Sequence, residues 1–591
     1  MAISSKLENI GNSCIDIRLA IKEQDNTLAA GSITTLGDDI RTIENRNYAY
    51  VLCRTQTGEM KTVKVHCKTN NTSPQFSSLI DDEIVACILP ENITALDRSA
   101  FQSTSVEYIN LENVVDFGAI SVNSCKNLKL DTSSIVNAKW ISGYAFASST
   151  ISGELYLPNL IGFSYSNQNP STSGESSQFR DTNITKIMDL GSAPRINTDT
   201  FSNCKNLTEI HFPETCNLYG SSIFYLDTKL TKIYFKNLES LLKNVTYRYD
   251  TSHPFRYLAD GTPTEVYVND VLLTSVVIPN DTTIINPYTF YNFTGLTSVT
   301  IPESVTVISD SAFRGCTGIT SINIPESVTT IGPYAFYNCS SALTGALLIP
   351  STVTSIGTYA FFHFTNLTSI VTPSSCTSIG KSAFQGCNSI VDATFNANTN
   401  SDVWYNGGEQ DVFGNNTGTL TINGSFTLSA YGAGARFLHF NISGDFTKTN
   451  SGGFGGLLRG DDICTKTIRI GGNVNSVGGS IIYYRVHYNN LEFLEVKGTI
   501  TGEWLNNQTY TSDGNCIIHL GYNGIAGTAS NCAASANWNT KIYVGDGSSA
   551  AHDDAILQQY LADTNWAQYS SKLDTWYNYI NSPDANPDYI N

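Results

Sequence analysis

The stretch SVTIPESVTVISDSAFRGCTGIT, from Ser298 to Thr320, sets the pattern of this chain because it recurs on both sides of itself. Within it, Val299 and Ile301 alternate as they would on a strand, and Pro302 ends that strand since proline offers no N–H to a ladder. The copies repeat one phenylalanine and one proline at spacings of 23, 23, 25 and 23 residues: Phe290, Phe313, Phe336, Phe361 and Phe384, with Pro279, Pro302, Pro325, Pro350 and Pro373. A fixed period of this length predicts a solenoid.

One copy of the repeat is too short to form a core by itself. Val305, Ile308, Ala312, Phe313 and Cys316 are the residues predicted to point inward. Each large apolar side chain contributes roughly 1.5–3 kcal/mol when buried, which does not offset the ordering entropy of a single turn. Stacked turns share one continuous core. The pattern therefore leaves only the outsides of the turns available for binding.

Weaker copies precede the strict repeats, around Phe101, Phe146 and Phe201, with longer spacings that predict looped-out insertions. Over residues 89–395 the repeat resembles the BspA-like leucine-rich repeats, which are also known from treponemal surface proteins. The segment from Leu238 to Pro279, which ends in a short hairpin from Tyr267, resembles a recurrent insertion of that family. The resemblance implies a mainly β leucine-rich-repeat solenoid that serves surface binding and adhesion rather than catalysis.

Residues 396–545 are richer in glycine, and the strict repeat fades there. We predict that this region continues the solenoid as degenerate turns, and a separate β-domain is the alternative. The prediction rests on pairs of apolar residues that alternate as on short strands: Leu420 with Ile422, Phe440 with Ile442, Ile468 with Ile470, Leu494 with Val496, Ile518 with Leu520, and Ile542 with Val544.

The first 45 residues differ in kind from the repeats. They carry two apolar stripes at alternating spacings of three and four residues, which predict two short helices. The stripes consist of Ile3, Leu7, Ile10, Cys14, Ile17 and Ile21, then Leu36, Ile40 and Ile43. Two interpretations stay open: a helical hairpin that packs on itself, or a seam for docking and oligomerisation, for example as a trimer. Residues 46–88 are predicted to form a small β connector.

The same segment resembles the N-terminal region of many phage tail and fibre proteins. The resemblance lies in Ser4 to Leu7, in Ala20-Ile21, and in Asp38 to Ile43. It implies a protein on the surface of a phage particle, attached to other virion proteins through its N-terminus.

The C-terminal residues 546–591 are predicted to form a helical cap, with a helix from His552 to Ile580 that Asp553 or Asp554 begins. A solenoid needs such a cap because its last turn would otherwise expose core. The ending resembles that of phage-borne BspA-like repeats. The predicted apolar side consists of Ile556, Tyr560, Leu561, Trp566, Tyr569 and Leu573.

Charge and hydropathy exclude some classes of partner. The chain has 34 Lys and Arg against 52 Asp and Glu, a net charge of −18, which disfavours nucleic acid. No apolar run reaches the roughly 18 residues of a membrane span. The start lacks a basic region followed by an apolar stretch, so no secretory signal peptide is expected. This last point favours a virion over a bacterial cell surface.

The fourteen cysteines suggest packing rather than chemistry. Cys204, Cys316, Cys339 and Cys387 each follow a repeat phenylalanine by three residues, and sister repeats place phenylalanine in that slot, at Phe293 and Phe364. A slot that accepts either residue is an apolar core position. No C-x-x-C motif occurs, and no motif of a hydrolase, metalloprotease or phosphate-binding loop does. We predict no catalytic residue, metal or cofactor.

These observations favour a non-enzymatic phage fibre or decoration protein that binds a host surface glycan or protein. A bacterial BspA-like cell-surface adhesin is the alternative, and a phage polysaccharide depolymerase is third, because depolymerases use paired carboxylates. Carboxylates that could pair are Asp461, Asp462, Glu492 and Glu495, and tyrosines that could line an exposed face are Tyr483, Tyr484 and Tyr488.

Overall fold

A computed structural model describes residues 48–54, 57, 60–66, 83–89, 93–164, 175–257, 265–339, 344–403, 413–414, 417–428, 437–449, 465–476, 491–501, 517–521, 541–564 and 566–590. These residues belong to two compact units, a first unit spanning Met1–Leu273 and a second unit spanning Thr274–Asn591. The predicted N-terminal stripes, from Ile3 to Ile43, lie outside the described residues.

The first unit contains sixteen short strands among its described residues: β1 (Tyr48–Arg54), β2 (Met60–His66), β3 (Glu83–Ile88), β4 (Ala95–Leu96), β5 (Tyr108–Ile109), β6 (Asp116–Phe117), β7 (Trp140–Ile141), β8 (Ser152–Tyr156), β9 (Asn183–Asp189), β10 (Arg195–Ile196), β11 (Glu209–His211), β12 (Cys216–Leu218), β13 (Lys232–Phe235), β14 (Val245–Tyr247), β15 (Glu265–Val268) and β16 (Val271–Leu272). Short helical turns cover Thr132–Ile135, Ser240–Asn244, Asp250–Ser252 and Pro254–Tyr257.

The strands of the first unit form four sheets, in the orders β2-β1-β3-β5, β4-β6-β7, β10-β12-β14 and β16-β15-β13-β11-β9-β8. Successive repeat strands pair in parallel, as the stacked turns of a solenoid require. The predicted β unit at residues 46–88 contains β1 to β3. There β1 lies antiparallel to both β2 and β3, and β3 pairs in parallel with the repeat strand β5.

The second unit contains twenty-two strands among its described residues: β17 (Ser275–Val277), β18 (Ile284–Ile285), β19 (Ser298–Thr300), β20 (Val307–Ile308), β21 (Thr330–Ile331), β22 (Gly345–Leu348), β23 (Ser355–Ile356), β24 (Leu367–Thr372), β25 (Ser378–Ile379), β26 (Asp392–Phe395), β27 (Thr399–Asn400), β28 (Thr419–Ile422), β29 (Phe426–Leu428), β30 (His439–Ile442), β31 (Phe446–Lys448), β32 (Thr467–Ile470), β33 (Val474–Ser476), β34 (Phe493–Val496), β35 (Ile500–Thr501), β36 (Ile517–Leu520), β37 (Lys541–Val544) and β38 (Leu573–Thr575). A short helical turn covers Ser401–Val403.

The repeat phenylalanines stack in the core, as the spacing predicts. Phe290, Phe313, Phe336, Phe361 and Phe384 are each at most 1% exposed, and their rings stack in sequence with centroids 5.0, 5.3, 5.4 and 5.5 Å apart. The ring of each turn therefore packs on the ring of the next, and the shared apolar interior of the solenoid is confirmed.

Two left-handed residues flank each of these phenylalanines. Tyr288 and Asn292, with φ of 60° and 58°, lie two residues before and after Phe290. The N–H groups of all three donate to the carbonyls of residues 310, 312 and 314 in the next turn, at 3.1, 2.8 and 2.7 Å. Because left-handed residues alternate with the others here, every second N–H group points toward the next turn of the solenoid. These hydrogen bonds offset the strain of non-glycine residues at positive φ.

The glycine-rich region continues the solenoid. One parallel ten-stranded sheet runs β22-β24-β26-β28-β30-β32-β34-β36-β37-β38, so it passes from the strict repeats into this region without a break. The six predicted pairs of apolar residues lie on β28, β30, β32, β34, β36 and β37, and all twelve side chains are buried. These observations favour the solenoid over a separate β-domain.

The C-terminal cap is helical but divided, and this corrects the predicted single helix. It consists of α1 (Ala550–Ala562), a short helical turn at Ala567–Lys572, β38, α2 (Trp576–Ile580) and α3 (Pro587–Ile590). On its predicted apolar side, Ile556, Tyr560 and Trp566 are buried, and Leu561, Tyr569 and Leu573 are half-buried.

The predicted start of the cap helix was also wrong. Ser549 begins α1, and its hydroxyl accepts the N–H of His552 at 3.2 Å. Asp553 is instead buried, and its carboxylate accepts N–H groups from Gly547 at 3.1 Å and from Tyr577 at 2.8 Å. It ties α2 to the turn before α1. Its acceptor role lies between elements distant in sequence, which a local capping rule does not detect.

Candidate ligand-binding face

The outward face of the six-stranded sheet in the first unit carries the candidate site. Its inward residues Leu155, Ile187, Ile210, Ile233 and Val266 are buried. Since side chains alternate along a strand, the residues on either side of these point away from the core. The parallel register then aligns them in columns that run across the strands.

The first column is a stack of aromatic rings. His211, Tyr234 and Tyr267 occupy one register position on β11, β13 and β15. His211 stacks on Tyr234 with ring centroids 4.1 Å apart and planes 2° apart, and Tyr234 stacks on Tyr267 at 4.4 Å and 7°. All three are half-buried, so their faces pack together while part of each ring faces solvent. Leu272, 46% exposed, pairs with Tyr267 and extends the column.

The second column alternates in charge. Glu154, Lys186, Glu209, Lys232 and Glu265 follow one another in register across β8, β9, β11, β13 and β15. Lys186 lies 2.9 Å from Glu154, and Lys232 lies 3.3 Å from Glu265. Alternation removes the like-charge repulsion that a column of one sign would create.

Hydrogen bonds join the two columns. The Tyr267 hydroxyl donates to the Glu265 carboxylate at 2.8 Å, and a nitrogen of His211 lies 2.7 Å from Glu209. The bond to Glu265 raises the pKa of Tyr267 to about 12, and the same bond holds the pKa of Glu265 below its usual value. Burial, followed by the charge of Glu209, raises the pKa of Tyr234. The phenols therefore keep their protons at neutral pH.

We name these two columns the ladder: His211, Tyr234 and Tyr267 with Glu154, Lys186, Glu209, Lys232 and Glu265. It offers hydroxyl, imidazole, ammonium and carboxylate groups beside partly exposed aromatic edges. Rigid aromatic side chains with polar tips are the groups that protein interfaces favour. The arrangement suits recognition of a polar ligand that also has apolar patches.

The cysteine slot is a core position, as predicted. Cys316, Cys339 and Cys387 are buried free thiols, each within hydrogen-bonding distance of the carbonyl oxygen of a repeat phenylalanine in the turn before. Burial raises the pKa of Cys339 and of Cys387 to about 12. Cys204 is buried in the same way, and burial raises its pKa as well. Phe293 and Phe364 are buried in the same slot. A buried protonated thiol is a weak nucleophile.

Two of the carboxylates considered for depolymerisation are described, and both are paired. Glu492 lies 3.0 Å from Lys466 and accepts the Tyr589 hydroxyl at 2.8 Å. Glu495 lies 3.0 Å from His519. Burial would raise the pKa of either carboxyl, but these partners outweigh it and both pKa values lie below the usual range. Neither group therefore has the raised pKa of a general acid.

The remaining candidates from the sequence, Asp461, Asp462, Tyr483, Tyr484 and Tyr488, lie outside the described residues. The sequence reasoning missed the ladder. Its signal was present, since EIH at Glu209 and KIY at Lys232 are 23 residues apart, like the strict repeats. The insertion before Glu265 moves the third copy, EVY, to a spacing of 33 residues and hides the series.

Across the described part of the chain, the helices are all too short or too polar to cross a bilayer.

A known protein family matches the chain. The family described as BspA type leucine rich repeat region matches residues 76–167, 172–252, 262–391 and 341–404, in six copies. These ranges together cover more than half of the 591 residues. No curated protein sequence matches the chain significantly.

The solved structures that the chain is similar to share low sequence identity with it. A leucine-rich repeat protein from Bacteroides ovatus ATCC 8483 is 19% identical over 59% of this chain and 93% of its own, with a TM-score of 0.31. The pneumococcal vaccine antigen PcpA is 16% identical over 63% and 81%, with a TM-score of 0.32. A leucine-rich repeat protein of T. pallidum is 26% identical over 26% and 74%, with a TM-score of 0.22.

Proposed function

Because this chain belongs to the BspA type leucine-rich repeat family, we propose that it is a non-enzymatic binding protein whose ladder contacts a glycan or protein on a host cell surface. The observation that carries the proposal is the stack of His211, Tyr234 and Tyr267 at the surface of a rigid parallel sheet. The stack fixes the rings before a ligand arrives, so little side-chain entropy is lost on binding.

The setting that we propose is the surface of a phage particle. The resemblance of residues 1–45 to the N-terminal regions of phage tail and fibre proteins supports it, and other virion proteins would then hold this segment. Mass spectrometry of purified particles and antibody labelling in electron micrographs test this setting. Labelling of intact bacterial cells, with none on particles, would instead assign a bacterial cell-surface adhesin.

Binding of the full chain to host cells and to arrayed host glycans tests the ladder. Tyr234→Ser removes the central ring, and we expect an affinity loss on the order of tenfold or more, as for an interface hot spot. Tyr144→Ser is the control, because Tyr144 is an exposed tyrosine of the same unit that follows β7 and does not belong to the ladder strands. Equal affinities of the two variants would refute the proposed site.

A second assay tests the absence of catalysis. The purified chain is incubated with host capsule, and new reducing ends are measured. We expect none above the level of heat-inactivated protein. Their release at a rate proportional to protein concentration would assign a depolymerase.

A further inference from the structure

Two arginines of the first unit converge on one tyrosine beside the three-stranded sheet β10-β12-β14: Arg195 lies on β10, Tyr219 directly follows β12, and Arg248 directly follows β14. The guanidinium carbon of Arg195 lies 3.5 Å from the ring centroid of Tyr219, and that of Arg248 lies 3.9 Å from it. Arg248 also lies 5.4 Å from the ring of Tyr249. Tyr219 is 37% exposed and Tyr249 is 43% exposed, so the cluster is open to solvent.

The cluster places two positive charges together in a chain whose net charge is −18. None of the ion pairs formed by the described residues includes Arg248. Burial, and then the charge of Arg248, lower the pKa of Arg195, while contact with Tyr219 acts in the opposite direction. Tyr219 thus holds together two guanidinium groups that repel each other, and an anion bound to Arg248 would relieve that repulsion.

The sheet fixes where these groups point. Arg195 donates through Nε to the side-chain oxygen of Asn197 at 2.8 Å, and Asn197 is buried. In register with Arg195 are Asn217, which is exposed, and Thr246, which is half-buried. The arginines are therefore flanked on the same face by an amide and a hydroxyl, which can donate to further oxygens of a ligand.

We propose that Arg195, Tyr219 and Arg248 form a binding site for the oxyanion groups, carboxylate or sulfate, of an acidic polysaccharide. Guanidinium groups bind such oxyanions through paired hydrogen bonds. Asn217 and Thr246 would bind the neighbouring hydroxyl groups of the sugar. The site lies on a different sheet from the ladder, and the proposal does not depend on the ladder binding anything.

Calorimetry of the full chain with three oligosaccharides tests the site. The probes are tetragalacturonate, its fully methyl-esterified form, and an oligosaccharide of dextran sulfate. We expect at least one of the two anionic probes to bind, with an affinity that falls as salt rises, and the neutral ester not to bind. Comparison of the two anionic probes distinguishes carboxylate from sulfate as the preferred group.

Four variants locate the binding. Arg248→Gln should weaken it on the order of tenfold, and Arg248→Lys should fall between, because it keeps the charge and loses the paired geometry. Arg180→Gln is the matched control, since Arg180 belongs to the same unit but pairs with Asp199 at 3.6 Å. Tyr234→Ser in the ladder should leave this binding unchanged.

The site would be overturned by binding of neither anionic probe, by equal binding of the ester, or by equal losses in Arg248→Gln and Arg180→Gln. A loss in Tyr234→Ser that matches the loss in Arg248→Gln would also overturn it, because the anion would then be bound at the ladder.

Discussion

Asp227 occupies a position where the other turns place an apolar or hydroxyl-bearing residue, and replacing it should stabilise the first unit. It follows Phe224 by three residues, which is the slot that Cys204 holds in the preceding turn. It is 1% exposed. Its Oδ1 accepts the N–H of Cys204 at 2.7 Å, while its Oδ2 has no hydrogen-bond partner among the described residues. Burial raises the pKa of Asp227 from 3.8 to about 9, despite the hydrogen bond from Cys204.

The sign of the effect follows from proton binding. The folded state holds the proton more tightly than the unfolded state, so its stability is full below pH 3.8 and falls as pH rises toward about 9. The carboxyl is ionised in the unfolded state at pH 7, which lies 3.2 pH units above its ordinary pKa of 3.8. Since each unit corresponds to about 1.4 kcal/mol, the buried carboxyl destabilises the folded state by at most about 4 kcal/mol at pH 7. Asp227→Asn keeps the acceptor for Cys204 and is neutral at every pH. We therefore expect a gain of about 2–4 kcal/mol at pH 7 and almost none at pH 3.

Hydrogen exchange of peptides around Cys204, compared between variant and wild type at each pH, measures this gain locally. Exchange in Asp227→Asn should be slower at pH 7, on the order of 30-fold or more, because each 1.4 kcal/mol corresponds to tenfold. Asp270→Asn, at an exposed turn of the same unit, is the control and should change little. If the variant protects these peptides no more at pH 7 than at pH 3, the buried carboxyl does not carry the penalty argued above.

Four further substitutions test the second unit by urea unfolding and fluorescence. Phe336→Ala removes a ring that stacks between two others, with centroids 5.3 and 5.4 Å away. We expect the free energy of unfolding to fall by about 3–5 kcal/mol. A change near zero would contradict the shared core. Gly386→Ala should lower the free energy of unfolding more than Gly345→Ala does. Both glycines have a positive φ, but only at Gly386 would the new Cβ lie 2.0 Å from His363. Equal losses would show that the clash with His363 contributes nothing beyond the backbone strain. His519→Leu removes the imidazole that lies 3.0 Å from the buried Glu495 carboxylate, which keeps Arg469 at 3.7 Å and Lys497 at 3.8 Å. It also removes the ring that stacks on Trp576 of the cap. We therefore expect the free energy of unfolding to fall by about 1–3 kcal/mol and acrylamide to quench tryptophan more strongly; unchanged quenching would contradict this contact.

The repeat was readable from the sequence because its period is enforced by burial. A phenylalanine such as Phe313 has the same neighbours in every turn, so one residue type recurs at a fixed spacing. The glycine-rich region keeps only the strand pairs, for example Leu420 with Ile422, because those two side chains remain buried while the turn between strands varies. The sequence therefore predicts the parallel sheet and says little about the loops.

Contacts that join elements distant in sequence were not readable. Asp553 resembles a capping residue because it lies in the first turn of a helix, yet its carboxylate binds the N–H of Tyr577, 24 residues later. The arginine cluster is also hidden, since Arg195 and Arg248 are 53 residues apart and meet only through the register of β10, β12 and β14. Such contacts depend on the register of the paired strands. Insertions between turns remove the constant spacing from which that register could be inferred.

The outward face shows this limit in one pair of strands. KIYF on β13 and KIYV on β37 have nearly the same sequence, and both bury the isoleucine in the core. Tyr234 of the first stays half-exposed among stacked rings, whereas Tyr543 of the second is 5% exposed, because Trp576 and Tyr579 of the cap pack against it at 6.0 and 4.8 Å. The cap thus has two roles. Its strand β38 ends the ten-stranded sheet, and its α2 covers outward residues of the last strands. The shared K-I-Y pattern can therefore form a surface for a ligand or a surface that the protein's own C-terminus covers, and the contacts of each tyrosine distinguish the two.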